Sequence, residues 1–543
     1  MLAACALPCF LLAQDYPRYP SAGSTYVPLD SWIYPALDRL AALGYVQTQF
    51  SGIRPWTRLE CARLIDEAGE RLQEEDAQPT EAIRLYRALE KELAAQLEAL
   101  GGRPSRELDL ESIYTRLTSI AGAPLTDGYH FGQTIVNDHG RPYSEGANVV
   151  AGFSARGVAG PFALYVRGEY QHAPSSPALS ERVRNVIATA DLNPVLPAMS
   201  FSSINQFRLL DTYVGVNLKN LQLTFGKQSL WWGPGRGGPL LFSNNAEPIY
   251  MLRLSRVMPF KLPGVFGWLG PVRTEFFLGR LSGHRFPARP FIHGQKFTFK
   301  PTPNLEFGFS RTAVFAGAGR PFTPHTFVRS LVSVGSDPTG NLPGRDPGDR
   351  RGGFDFSYRV PGLRKWLVLY NDSLVDDDPS PLAAPRRAAM NPGIYIPQIP
   401  GLPKLDFRAE AAYTDVPSGR SIGGQFIYWN VVYRDGYTNK GNLLGHWVGR
   451  EGRGLQLWST YWFSPQSTVQ VGYRHAAVNH DFIPGGGTLN NIAARVDLMV
   501  RRDLSISSSI QYERWSFPVL SPSYKSNAAA SLELTFRPQL RSN

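Results

Sequence analysis

The chain of 543 residues is longer than one compact domain needs, and its 12% aromatic content is too high for a disordered polymer. Its Gly 52 and Pro 44 supply many turns, and no run of eighteen apolar residues exists, which excludes helical membrane spans. The net charge of +11 is uneven: residues 15–103 hold 14 acidic and 10 basic side chains, so the cation excess lies beyond them, dispersed and mostly Arg rather than gathered into a nucleic-acid-binding block.

Residues 2–13 are apolar and small, with a cleavage point after Ala13 or Gln14, so 1–14 reads as a signal peptide whose basic start is missing. Leu2-Ala3-Ala4-Cys5 matches a lipobox only superficially, since no apolar segment precedes it. Once this segment is removed Cys61 is the one cysteine left, too few for an internal disulfide or a structural zinc site.

Residues 15–104 read as a small α-helical domain. Leu29, Trp32, Ile33, Leu37, Leu40 and Leu43 recur at three- and four-residue steps. Thr57-Arg58-Leu59-Glu60 has the form of a capping box opening a helix to about Leu72. Gln78-Pro79-Thr80 interrupts the pattern, an amphipathic run follows from Glu81 to Leu100, and Gly101-Gly102 stops it.

From 105 to 543 the period is two. Phe162, Leu164 and Val166 face away from Tyr165, Arg167 and Glu169; Leu405, Phe407, Ala409, Ala411 and Tyr413 face away from Asp406, Arg408 and Glu410. Val469 to Tyr473, Ile492 to Val500 and Leu504 to Tyr512 repeat the pattern. About nineteen such segments alternate between short turns (Lys219-Asn220, Pro301–Asn304, Ser464–Ser467, Arg501–Asp503) and long links (173–210, 316–351, 373–403, 434–453). That alternation predicts a mainly β fold: a large antiparallel outer-membrane β-barrel with tight periplasmic turns and long extracellular loops. An even count keeps both termini periplasmic, and Leu108–Ile120 is the segment set aside, leaving about eighteen strands. Interior Tyr165, Trp458 and Trp462, with the opposed charges Arg495/Asp497 and Asp406/Arg408, predict a filled lumen rather than an open pore.

The most distinctive segment runs from Gly226 to Asn245, GKQSLWWGPGRGGPLLFSNN. Pro234 and its glycines forbid a helix, so it is neither a dinucleotide fingerprint nor a P-loop. Two readings stand. As an extracellular loop, Trp231 or Trp232 can stack on a sugar ring while Arg236, Asn244 and Asn245 bond hydroxyls or carboxylates. As a structural element, the same rings belong to an aromatic girdle.

This loop, with the strand Arg273-Thr274-Glu275-Phe276-Phe277 and the helical unit ahead of the barrel, resembles the Wzi-type capsule assembly family of the bacterial outer membrane. The resemblance implies an eighteen-stranded barrel with a periplasmic helical bundle, acting as a surface lectin that anchors capsular polysaccharide. A second resemblance, carried by Trp32, Ile33, Leu37, Leu40, Gly44, Arg54–Glu60 and Ala62, is to one S-layer homology module, which implies contact with peptidoglycan; a plug docked on the barrel is the alternative.

The chemistry of enzymes finds little support. Asp376-Asp377-Asp378 lacks calcium-loop spacing, His475 and His480 form no His-Glu-x-x-His, Ser-x-Gly fragments lack a nucleophile elbow, and no facing carboxylate pair for glycan cleavage is evident. The expectation is a non-enzymatic monomer without cofactor or metal, contacting surface polysaccharide and outer-membrane lipid or lipopolysaccharide, and no nucleic acid. A wall-tethered porin is the alternative.

Overall fold

The computed structural model describes residues 22–74, 80–103, 106–333, 345–363, 365–376, 387–416 and 423–538. The signal segment read at 1–14 lies outside them, as do Asp377 and Asp378. Among the described residues no helix is long and apolar enough to cross a membrane.

The N-terminal unit holds α1 (Ile33–Leu43), α2 (Arg58–Gln73), α3 (Thr80–Glu92) and α4 (Ala94–Leu100). Gly44, at φ 107°, closes α1, in a backbone state that favours glycine. Thr57 caps α2 by accepting the Glu60 amide at 3.1 Å, but only half of the expected box forms, because the Glu60 carboxylate turns to Arg63 at 2.8 Å. Leu37, Leu40, Leu64, Ile65, Leu85 and Leu89 make the unit's core, with Trp56 in its centre.

Eighteen antiparallel strands follow. They are β1 (Arg106–Ala121), β2 (Gly146–Ala159), β3 (Phe162–Ala173), β4 (Ile204–Leu218), β5 (Leu221–Gln228), β6 (Ile249–Arg256, resuming at Phe260–Lys261), β7 (Pro271–Arg280), β8 (Phe291–Thr302) and β9 (Leu305–Phe315). The second half comprises β10 (Asp349–Arg359), β11 (Val368–Asp376), β12 (Ala389–Met390 and Gly393–Ile396), β13 (Leu405–Tyr413), β14 (Gly452–Ser464), β15 (Ser467–Val478), β16 (Gly487–Met499), β17 (Leu504–Ser516) and β18 (Lys525–Phe536). Pairing of β1 with β18, from Ile113 opposite Phe536 to Ala121 opposite Ala528, closes the sheet and leaves no edge.

Two strand expectations are corrected. Leu108–Ile120 is not surplus: it lies within β1, the strand that closes the barrel. A register shift at Glu111 changes its phase, and the polar Thr115 and Ser119 on its outward face weaken the alternation that marks the other strands. The link read at 373–403 contains β12, whose ladder Pro392 breaks because it has no amide hydrogen to donate. The turns hold as expected: Lys219 and Asn220 both take positive φ (48° and 68°), the hairpin geometry that matches strand twist.

Outward side chains such as Phe162, Leu164, Val214, Phe225, Ile492, Ile510 and Leu532 are exposed around the wall, a greasy band suited to lipid. The inside is not a water-filled pore. Leu240, Leu241 and Phe242 of one loop, Tyr428, Tyr437 and Leu443 of another, and Phe50 and Ile53 of the helical unit pack with strand residues Met251, Phe277 and Ile292 into a single hydrophobic core.

Candidate binding site: an occluded lumen and its polar chamber

The helical unit seats in the turn end of the barrel, which is the docking-plug arrangement. Arg167 reaches Asp30 at 2.8 Å, Arg39 donates to the carbonyl of Pro397 at 3.2 Å, and Lys300 donates to that of Gln49 at 2.7 Å. Glu306 accepts the amides of Ser51 and Gly52 at 2.9 and 2.8 Å. Gly52 is required there, because a Cβ would strike the Asp355 carboxylate.

The segment 229–248 does not project outward. It folds into the lumen and meets the plug, with Trp231 and Arg54 exchanging backbone hydrogen bonds at 2.9 and 3.0 Å. Carboxylates on the strands hold its backbone: Glu410 accepts from the amides of Arg236 (2.6 Å) and Gly237 (2.8 Å), and Asp372 from Leu240 (2.6 Å). Glycine at 237 is dictated by close approach, since a side chain would collide with Gln456, Glu410 and Trp458.

These contacts correct the expectation of an extracellular tryptophan loop. Trp232 is fully buried, its indole N–H donating to Glu275 at 3.0 Å and its ring edge-on to Phe242 and Phe277. Trp231 is also buried and donates to the Gly235 carbonyl at 3.1 Å. Asn245 donates to the Leu443 carbonyl and accepts the Asn137 amide at 3.1 Å. None of the three presents a free face to the outside. Arg236 is half-buried in the lumen, and Asn244 borders an internal chamber. An isolated segment rich in Trp and Gly has the same composition whether it packs inward or faces solvent, and only the partners across the barrel decide.

Of the residues that fix the loop, Glu275 stands in the strand that carries the family resemblance, whereas Asp372 and Glu410 belong to no motif. Their signal was inward position on an alternating strand, visible for Glu410, but nothing local told which amide each would hold. Lys227, Arg208 and Lys440 likewise converge on buried Glu247 at the loop's end.

Beside this packed half lies a chamber of about 730 Å³ between the plug and the wall of β14–β18, β1 and β2. Residues 134–143 and Asn244 roof it, while Arg502, Arg537 and Pro538 place its mouth at the turn end. A buried network crosses its side: Arg116 to Asp138 (2.7 Å), Arg141 to Asp138 and Glu169, Tyr114 to Glu169 (2.7 Å), and Arg167 to Tyr114 (3.0 Å). Each charge here is met by another or by a hydroxyl, as a low-dielectric interior demands.

The loop end is capped by Phe131, Val183, Ile187, Phe482, Ile483 and Phe517, to which the helix α5 (Glu181–Asp191) contributes. His130 ties the cap together, its ring nitrogens 2.7 Å from Asp127 and 3.0 Å from Asp191, and Asp191 is also held by Arg450 at 2.6 Å. Burial disfavours the imidazolium, but the two carboxylates outweigh it and raise its pKa to about 9. The bridge therefore contributes fully below the ordinary value of 6.5 and is lost as pH rises through about 9, a change of about 3 kcal/mol in the cap. Protease cleavage within 174–203 is accordingly expected to accelerate between pH 7 and 10 in the parent and to be fast at both in His130→Ala; a flat parent profile would discard the bridge as a latch.

Outside the cap a cleft of about 500 Å³ lies between Asp415, Arg453, Asn479, His480, Asp481 and the strand start at Gly487-Thr488. Arg453 and His480 are largely exposed there, with Arg453 paired to Asp415 at 2.8 Å.

The family model described as "Capsule assembly protein Wzi" matches residues 116–530. A Klebsiella pneumoniae protein described as an uncharacterized 55.8 kDa protein in the cps region is 29% identical over 182 residues, 33% of this chain and 35% of the relative, so the match spans about a third of that relative's length. Among solved structures, the chain is similar to Escherichia coli Wzi, with a TM-score of 0.69 at 18% identity, covering 96% of this chain and 100% of the other; at that identity the likeness speaks for the fold. With most of the barrel matched by one family model, the chain belongs to the Wzi family of capsule assembly proteins.

Proposed function

We propose that the protein is a non-enzymatic, monomeric outer-membrane barrel that binds an exopolysaccharide at the cell surface and helps retain and assemble it as capsule. The observation that carries this reading is the filled lumen: a folded core occupies the space that a diffusion channel needs open, so the barrel serves as a scaffold for its loops. The E. coli relative is described as a carbohydrate-binding β-barrel involved in group 1 capsule assembly, which agrees. On this reading the turn end and helical unit lie in the periplasm and the capped end faces outward, with lipid against the apolar band.

The exposed cleft at Arg453 and His480 is the surface suited to the polymer, since it offers a cation, carboxylates and a glycine-lined floor in the open. Arg453→Ala with His480→Ala is expected to reduce polysaccharide retained on cells, and binding to the purified protein, about tenfold, while the band shift between unheated and boiled samples stays as in the parent. Undiminished binding would move the surface site elsewhere on the cap.

A further inference from the structure

We propose that the luminal chamber is a second binding site, entered from the periplasmic end, for a short acidic oligosaccharide. It rests on the reading of this protein as a glycan binder but concerns a different site, separated from the outer cleft by the cap and the inward loop.

The wall chemistry selects the ligand. Gln456, Gln470, Asn491, Ser509, Gln511 and Ser531 line it with uncharged amides and hydroxyls, groups that can give and accept hydrogen bonds and so match sugar hydroxyls. Trp458 on the wall and Trp32 on the plug both border the space, each half-buried, and supply apolar ring faces for the C–H side of a pyranose. A lipid tail or apolar peptide would leave those amides dry and unpaired. The volume of about 730 Å³ falls in the ordinary range of small-ligand sites, about 300–1,000 Å³.

Two observations show a site rather than a filled gap. Buried polar atoms at its border have no protein partner: both ring nitrogens of His139, which is 2% exposed, the amide nitrogen of Asn491, which is 5% exposed, and the amide oxygen of Asn244. Interiors rarely leave such groups unsatisfied, and here they border the cavity. At the mouth, Arg502 and Arg537 have no carboxylate partner among the described residues, unlike Arg58 and Arg156, which pair with Glu92 and Asp109. Guanidinium groups without a countercharge, at the entrance of a low-dielectric cavity, attract an anion and grip a carboxylate. An acidic sugar meets both the mouth and the wall.

The test uses the full-length protein in detergent, titrated calorimetrically with tetragalacturonate and, separately, with neutral maltotetraose. We expect tetragalacturonate to bind with one-to-one stoichiometry, at least tenfold tighter than maltotetraose, and to weaken with salt. Ser509→Trp, which projects an indole from the chamber wall into the space a sugar would occupy, is expected to weaken binding at least tenfold. The pair Arg502→Glu with Arg537→Glu, one exposed and one half-buried at the mouth, is expected to weaken it at least tenfold. Arg453→Ala with His480→Ala should leave it unchanged, so loss of surface binding and loss of chamber binding read out independently. Absence of tetragalacturonate binding, equal binding in the mouth variant, or loss only in the surface variant would each overturn the chamber as a site and leave it a hydrated remnant of the lumen.

Discussion

Glu410→Ala is expected to release the inward loop and make the barrel conduct. Three donors converge on this one carboxylate: the amides of Arg236 and Gly237 and the hydroxyl of Tyr370 at 2.7 Å. Hydrogen bonds to a buried charge contribute about 1.5–3 kcal/mol each, and removal strands two backbone donors with no water to take them. Arg408, two residues away on the same face and stacked on Tyr395, also loses a neighbouring negative charge. The expected cost is about 3–5 kcal/mol, the scale for breaking a buried charged group from its partners. Because the loop carries Leu240, Leu241 and Phe242 into the lumen, loosening it opens a path through the barrel. In planar bilayers the parent should pass little steady current, and the variant should show frequent open events. Glu410→Gln, which keeps the shape and one acceptor, should fall between the two. Currents like the parent's in Glu410→Ala would show that the apolar core alone holds the loop.

Glu306→Ala is expected to unseat the helical unit while leaving the barrel intact. Glu306, on β9, accepts from the amides of Ser51 and Gly52 and from the Ser51 hydroxyl at 3.1 Å, fixing the hairpin bend of the plug against the wall. Losing these three bonds should cost about 3 kcal/mol of docking, without touching any strand ladder. Gly52→Val should act in the same direction for a steric reason, since its side chain would collide with Asp355 and approach Glu306. The measurement is limited proteolysis in detergent: cleavage between 22 and 103 should quicken about a hundredfold, while the remainder resists and still shifts on boiling. Equal resistance in both variants would mean that contacts such as Arg39 with Pro397 and Trp462 with the helical core suffice for docking.

Alternation along each strand specified which face of Phe162–Ala173 or Leu405–Tyr413 meets lipid, because successive side chains leave a strand on opposite sides whatever surrounds it. Turn residues such as Lys219-Asn220 and the rhythm of short and long connections likewise made the barrel legible, since both are local or periodic properties. The helical unit was legible for the same reason. What the sequence by itself could not determine was where the Trp231–Trp232 segment goes. Its fate depends on Glu275, Asp372 and Glu410, each on a different strand, and on Arg54 of the plug, residues that only closure of the barrel brings within hydrogen-bond distance. The chamber is of the same kind: its wall comes from strands at the two ends of the barrel chain and its far side from Trp32 and Arg58 of the helical unit. A cavity is a property of what fails to fill space after all the elements have docked, and that remainder has no periodicity for a sequence to display.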